Sequence, residues 1–258
     1  MPETFFGWVA LILDKYGLLF LKGTGVTLLI AIVSTLIGFV LGLLVAVVRS
    51  IRLPAHAGLL RRGGLSASRI VTSIYIEVFR GTPMIVQAMV IYYGAMQYLN
   101  IDVNPLVAAI FIVSINTGAY MAEVIRGGIH SVDAGQMEAA SSIGMTHWQA
   151  MSTVVLPQAI RNIMPSIGNE FVINIKDSSV LNVISVSELY FMSKSAAGTY
   201  YRYFEVFFIT GVIYLILTVS ITQLLKWIER RMEGPKHYII HGSQSHSRSI
   251  LPQKKGGQ

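Results

Sequence analysis

Uncharged apolar runs dominate the chain. Thr24 to Val48, Gly81 to Leu99, Val103 to Ala122 and Val206 to Leu225 are each about as long as the ~20 residues that cross ~30 Å of hydrocarbon as a helix. A fifth stretch, near Ile163 to Ser187, is apolar at most positions but carries Glu170, Lys176 and Asp177, with Glu188 just beyond. It reads as a span with intramembrane charges or as a surface helix. Between Gly127 and Arg161 the apolar residues Ala139, Ala140, Ile143, Met145, Trp148 and Met151 are spread among polar ones. Gly135 and Gly144 punctuate that region and Pro157 limits its end, which predicts two short helices with a turn between them. From Gly234 onward Pro, Gly, Ser, Gln and His predominate, and a disordered tail over 234–258 is expected.

Composition agrees with a membrane protein. Of 258 residues, 53% are hydrophobic and only 13% charged, where a soluble domain has roughly 25% charged residues; mean hydropathy is +0.59. The net charge of +7 lies beside apolar spans, where it orients helices and meets anionic lipid, so nucleic acid is not the expected partner. Arg49, Arg52, Arg61, Arg62 and Arg69 follow the first span, Arg126 and Arg161 follow the third, and Lys226, Arg230, Arg231, Lys236, Arg248, Lys254 and Lys255 follow the last. By the positive-inside rule these three regions are cytoplasmic. An outer N-terminus and an inner C-terminus need an odd number of spans, so the charged fourth segment must cross. No cysteine is present, which excludes disulfides and thiolate metal sites. His237, His241 and His246 lack metal-ligand spacing, and no metal is expected. The opening Met1-Pro2-Glu3 has no basic stretch and no cleavage pattern follows it, so the first helix is expected to stay in the mature protein.

Glu138-Ala139-Ala140, Gly144, then Val154, Val155, Leu156 and Pro157 resemble the EAA signature of ATP-binding-cassette importer permeases, with Val154 where isoleucine is usual. Phe79-Arg80-Gly81-Thr82-Pro83 with Gln87, Thr27-Leu28, and Asn116-Thr117-Gly118-Ala119-Tyr120 leading to Glu123 and Arg126-Gly127 resemble its polar amino acid branch, the glutamine, histidine and arginine type with a MetI-like domain. The resemblance implies an all-α, five-span type I permease core over 1–233, N-terminus outside and C-terminus cytoplasmic, in a bacterial inner or plasma membrane. Its loop, about 133–160, would be the coupling helix on a cytoplasmic ATPase, contacted through Glu138, Ala139, Ala140, Gly144, Leu156 and Pro157. The implied partners are an ATPase dimer that binds ATP and Mg, a second permease copy or paralogue, and an extracytoplasmic binding protein. The chain lacks a Gly-x-x-x-x-Gly-Lys-Ser/Thr loop of its own, so it is read as a pathway and not as an enzyme or a holder of cofactors.

The substrate argument starts at the fourth segment. Glu170 and Asp177 are seven residues apart, close to two turns, and share a face; Asn174 lies within ~40° of it. Carboxylates in a membrane face a pathway or a partner, and a carboxylate suits an α-ammonium group. Asn174, Ser178 and Ser179 suit a carboxamide, whereas two acids suit a guanidinium. The candidate pathway set is therefore Glu170, Asn174, Asp177, Ser178, Arg80, Thr82 and Gln87, with glutamine as the leading cargo and a basic amino acid as the alternative. Two blander roles compete: Arg80 paired with Glu77, and Lys176 with Asp177 holding helix packing together. Tyr98, Tyr200, Tyr201 and Tyr203 fit an outer interfacial belt. A secondary transporter or channel using Glu170 and Asp177 as a relay is the reading from a different class; it would carry internal repeats, which the chain lacks.

Overall fold

The computed structural model describes residues 2–51 and 58–232. The tail expectation for 234–258, including His237, His241 and His246, lies outside them. Among the described residues every regular element is helical.

Helix α1 (Phe5–Ser50) opens at Thr4, whose hydroxyl accepts from the Gly7 amide at 3.2 Å. Its 46 residues extend about 69 Å, far beyond the Thr24 to Val48 span read from the apolar run. The helix passes three packed cores in turn. Ile12 and Phe20 join Leu189, Ala197 and Val206; Ile30 joins Ala109, Ile112, Leu181 and Ile184; Ala46 joins Met121, Ile125 and Ile163. Small and medium residues repeat every fourth position on its inner side, at Ile30, Ser34, Gly38, Gly42 and Ala46. That stripe meets α4 (Pro105–His130) with the backbones almost touching. A Cβ at Gly42 would lie 2.5 Å from the Met121 Cβ and 2.8 Å from the Ala122 nitrogen. No side-chain rotation relieves a backbone contact. Gly42→Val is therefore expected to cost about 1–3 kcal/mol or more through overpacking, seen as a lower unfolding temperature of the detergent-extracted protein, while Gly17→Val, where the added carbon meets nothing, costs far less.

The second apolar run is not a straight span. Helix α2 (Leu59–Gly81) covers most of what the sequence reads as a cationic loop, and α3 (Met84–Leu99) leaves it at a bend of 112°. Arg61, Arg62, Gly63, Gly64, Ser66 and Ser68 hide α2 from an apolar-run reading. Its helical period is plain once Ser66, Arg69, Ser73, Glu77 and Arg80 are seen along one side, with Ile70, Ile74 and Val78 along another.

The region after α4 forms α5 (Ala134–Ser142), then a turn at Gly144, then α6 (His147–Ala150). Both short helices are there, but Pro157 does not end the second. Instead α6 widens into a π-helical stretch over Met151–Val155 and runs on as α7 (Leu156–Asp177) and a 3₁₀ stretch over Ser178–Ile184. Pro157 sits in the first turn of α7, where its missing N–H costs little. The wider turn immediately before it gives the ring room against the carbonyl four residues back. Helix α8 (Leu189–Tyr200) and α9 (Tyr203–Met232) complete the fold. Glu188 caps α8, accepting from the amides of Tyr190 and Phe191 at 2.9 and 2.7 Å and from the Tyr214 hydroxyl at 3.0 Å. This buried carboxylate is thereby fully engaged. Among the described residues α1, α4 and α9 are each long and apolar enough to cross a membrane, and the α2–α3 pair is so as one bent unit. The amides and prolines of α7, Gln158, Asn162, Asn169, Pro157 and Pro165, together with Arg161 and Glu170, make it too polar for that class.

Candidate functional site

The site is built around the break between α2 and α3. Pro83 cannot donate a backbone hydrogen bond and forces Thr82 into an extended conformation, φ −120° and ψ 145°. The last carbonyls of α2 then need other donors. Thr82 Oγ1 donates to the Val78 carbonyl at 2.7 Å. Gln87 Nε2 lies 2.9 Å from both the Phe79 and the Thr82 carbonyl oxygens, and 2.9 Å from Thr82 Oγ1. Asn116 Nδ2, from α4, donates to the Phe79 carbonyl at 3.1 Å and to Gln87 Oε1 at 2.9 Å. Gln87 is only 6% exposed. Of the sequence candidates, Gln87 and Thr82 are thus occupied with closing the break, while Arg80 projects from it. Its guanidinium stands over the Tyr120 ring, 5.3 Å from the centroid, an arrangement that favours a cation. The Arg80–Glu77 ion pair weighed as an alternative does not form among the described residues.

On α7, Asp177 is exposed and Glu170 partly so, and Glu170 lies within electrostatic reach of both Arg80 and Asp177. Glu170 thus has one acid and one cation within reach, while Asp177 has Lys176 beside it. Asn174 and Ser178 are not brought to this acidic face. Asn174 is 4% exposed; its Nδ2 donates to Thr35 Oγ1 of α1 at 2.9 Å and its Oδ1 accepts from Thr117 Oγ1 of α4 at 3.1 Å. Ser178 is buried and donates to the Ile175 carbonyl at 2.9 Å. The ~40° that separates Asn174 from the acidic face is enough to turn it into the three-helix junction. Lys176 and Asp177 form no ion pair, because consecutive helical residues point about 100° apart. Lys176 instead lines a groove of about 270 Å³ between α7 and α9, with Ser179, Tyr190 and Tyr214.

Where α1 and α4 end, Glu123 joins them. Arg49 Nη1 lies 2.8 Å from its Oε1, and Arg126 reaches both carboxylate oxygens. A cavity of about 490 Å³ opens beside this cluster, bounded by Arg49, Arg69, Arg126, Met137, Glu138 and His147 among others. The neighbouring loop is shaped by a capping box at Thr146 and Gln149 and by Gly144 at φ 83°. Glu138 and Ala139 face outward and Ala140 faces inward. Ile143 and Trp148, 80% and 63% exposed, stand at the tip. Leu156 is partly buried and Pro157 exposed, both at the start of α7 and a full π turn away from the tip.

Thr35 stands in no motif, and Thr117 and Tyr120 are marked in the sequence only through the family motif, without a role at the site. The available signal is polar or amphipathic side chains inside apolar helices, but their partners, Arg80 for Tyr120 and Asn174 for Thr117 and Thr35, lie 40, 57 and 139 residues away along the chain.

Residues 57–234 match the family described as the binding-protein-dependent transport system inner membrane component. The chain belongs to that family. It is an integral membrane, pathway-forming subunit of an ATP-binding-cassette system, in which the ATPase is a separate subunit. The permease is 33% identical over 217 residues to the arginine transport system permease protein ArtQ of Bacillus subtilis (strain 168), covering 83% of this chain and 92% of that protein. It is 35% identical over 216 residues to the glutamine transport system permease protein GlnP of Escherichia coli (strain K12), covering 83% and 93%. Among solved structures it resembles an amino acid ABC transporter crystallised with histidines, at 38% identity and a TM-score of 0.77 over 90% of this chain and all of that one. A likeness to the methionine transporter MetNI in an inward-facing conformation, at 21% identity and a TM-score of 0.70 over 86% of this chain and 99% of that one, shows the shared fold.

Proposed function

We propose that this permease carries a polar amino acid into the cell, with glutamine the leading cargo. The observation that carries the reading is that Glu170 has both Asp177 and Arg80, the cation at the α2–α3 break, within electrostatic reach. A zwitterion presents a carboxylate and an ammonium together, and a cation beside two acids complements both. Glutamine and arginine permeases among the relatives support the class, and with Asn174 and Ser178 turned into the packing the lean to glutamine rests on the glutamine permeases among them. The pair of carboxylates supports a second reading, a basic amino acid, because a guanidinium or second ammonium would use the remaining acid.

In this reading five crossings are made by α1, the bent α2–α3 pair, α4, α7 and α9, with the N-terminus outside. The cationic ends at Arg49, Arg126 and Arg230 then share the cytoplasmic side. The charges of α7 are acceptable there because its acidic face lines a polar route instead of lipid. Two permease copies, or this chain and a paralogue, enclose the route; a binding protein delivers cargo from outside. The ATPase dimer grips the loops from Glu138 to Pro157, and its closure on ATP moves them together so that the cavity opens outward; hydrolysis resets it.

The test is uptake into vesicles holding the permease, its ATPase and its binding protein, with labelled glutamine challenged by excess arginine, glutamate or histidine. Competition by unlabelled glutamine alone is expected. Competition by arginine or histidine would move the cargo to the basic class. Uptake of labelled ions without ATP would instead favour a channel.

A further inference from the structure

Breaking a helix inside a packed membrane domain exposes carbonyls, and each one left without a donor costs several kcal/mol. At Phe79–Pro83 the donors are two amides, Gln87 and Asn116, and they do not simply fill the gap. Asn116 binds both the Phe79 carbonyl and the Gln87 amide oxygen, which points the Gln87 Nε2 back at Phe79 and Thr82. The same part of α4 grips α2 twice more. The Tyr75 hydroxyl donates to the Ile115 carbonyl at 2.6 Å, and a Cβ at Gly118 would lie 2.7 Å from that hydroxyl. The very next residue, Thr117, binds Asn174 of α7, which lies four residues after Glu170 and three before Asp177. Two consecutive residues of α4 thus hold the α2–α3 break that carries Arg80 and the acidic helix α7 at a set separation.

We infer that Asn116, acting through Gln87, is a positioning residue for substrate recognition: it fixes where Arg80 stands relative to Glu170 and Asp177 without itself contacting cargo. The inference rests on the pathway reading above. It also moves Gln87 from lining the route to supporting it. Losing the clip would let the last turn of α2 unwind or tilt. A shift of a few tenths of an ångström to one ångström at the guanidinium suffices to mismatch a zwitterion held at both ends.

The chain has no cysteine, and Gly81 has open space where a Cβ would go, so Gly81→Cys is a clean reporter beside Arg80. The complete complex in vesicles, carrying Gly81→Cys, is treated with a membrane-impermeant methanethiosulfonate with and without a saturating mixture of glutamine and arginine. The mixture is expected to slow modification about tenfold, a difference of ~1.4 kcal/mol. With Asn116→Ala added, or with the shape-preserving Gln87→Met, protection is expected to fall below about twofold, although the complex still assembles and hydrolyses ATP. A purely structural support would lower assembly and leave protection per assembled complex unchanged. Unchanged protection in both variants overturns the inference and spares the pathway reading. So does failure of both variants to assemble, since the two amides would then be scaffold alone. No protection in the Gly81→Cys parent removes the pathway reading, and the inference with it.

Discussion

Asp177→Asn is expected to lower ATP-driven uptake by roughly 10- to 150-fold while leaving the permease assembled with its ATPase. Among the described residues Asp177 makes no hydrogen bond or ion pair within the chain, and it stands exposed on α7. The substitution keeps shape and removes charge, so packing has little to lose and the cost falls on the bound cargo. A hydrogen bond to a charged group contributes about 1.5–3 kcal/mol, which converts to that range of rates. Initial uptake rates, normalised to permease in the membrane, measure it. Normal transport by Asp177→Asn would take the residue off the route. Asn174→Ala gives the contrasting outcome: interhelical hydrogen bonds in membranes contribute on average about 0.6 kcal/mol, so its two bonds to Thr35 and Thr117 predict a modest loss of thermal stability and largely retained uptake.

Gly144→Val is expected to reduce transport about tenfold or more through the coupling loop. At φ 83° a residue with a side chain is strained by about 1–3 kcal/mol, and a β-branched one by more. Nothing lies within 4 Å of the added Cβ, so the loss is conformational and comes from no clash. The strain is relieved by reopening the turn, which displaces Ile143 and Trp148 relative to Glu138 and spoils the surface proposed to meet the ATPase. Co-purification of the ATPase and uptake should fall together, while membrane insertion holds. Gly144→Ala is expected to lie between the two. Glu138→Ala tests the same surface by chemistry instead of shape: reduced ATPase association is expected, and unaltered association would remove Glu138 from the contact. Normal transport by Gly144→Val would mean that the loop tolerates a different turn.

Apolar runs marked three of the helices within a turn or a few, because a membrane helix must be apolar on nearly every side that lipid touches. They failed at α2, where Arg61, Arg62, Gly63 and Gly64 break the run although the helical period continues. They also shortened α1, which begins at Phe5, well before Thr24, since Asp14, Lys15 and Lys22 interrupt the pattern. The missing N–H of Pro157 suggests, from sequence, the end of a helix. A first-turn position needs no N–H and the π stretch before it accommodates the ring.

Residue chemistry alone therefore determined that this chain is a helical membrane protein, that Glu138 to Pro157 forms a folded loop, and that Arg80, Glu170 and Asp177 are the charges that a bilayer cannot ignore. Hydropathy and motif spacing are local, and each of these follows from a short stretch. Only the tertiary structure decided that Gln87 and Asn116 close the break, that Asn174 ties three helices together, and that Arg80 rests over Tyr120 within reach of Glu170. Those roles depend on which distant helices meet and on rotations of a few tens of degrees about a helix axis, and neither is written in the spacing of residues along one segment.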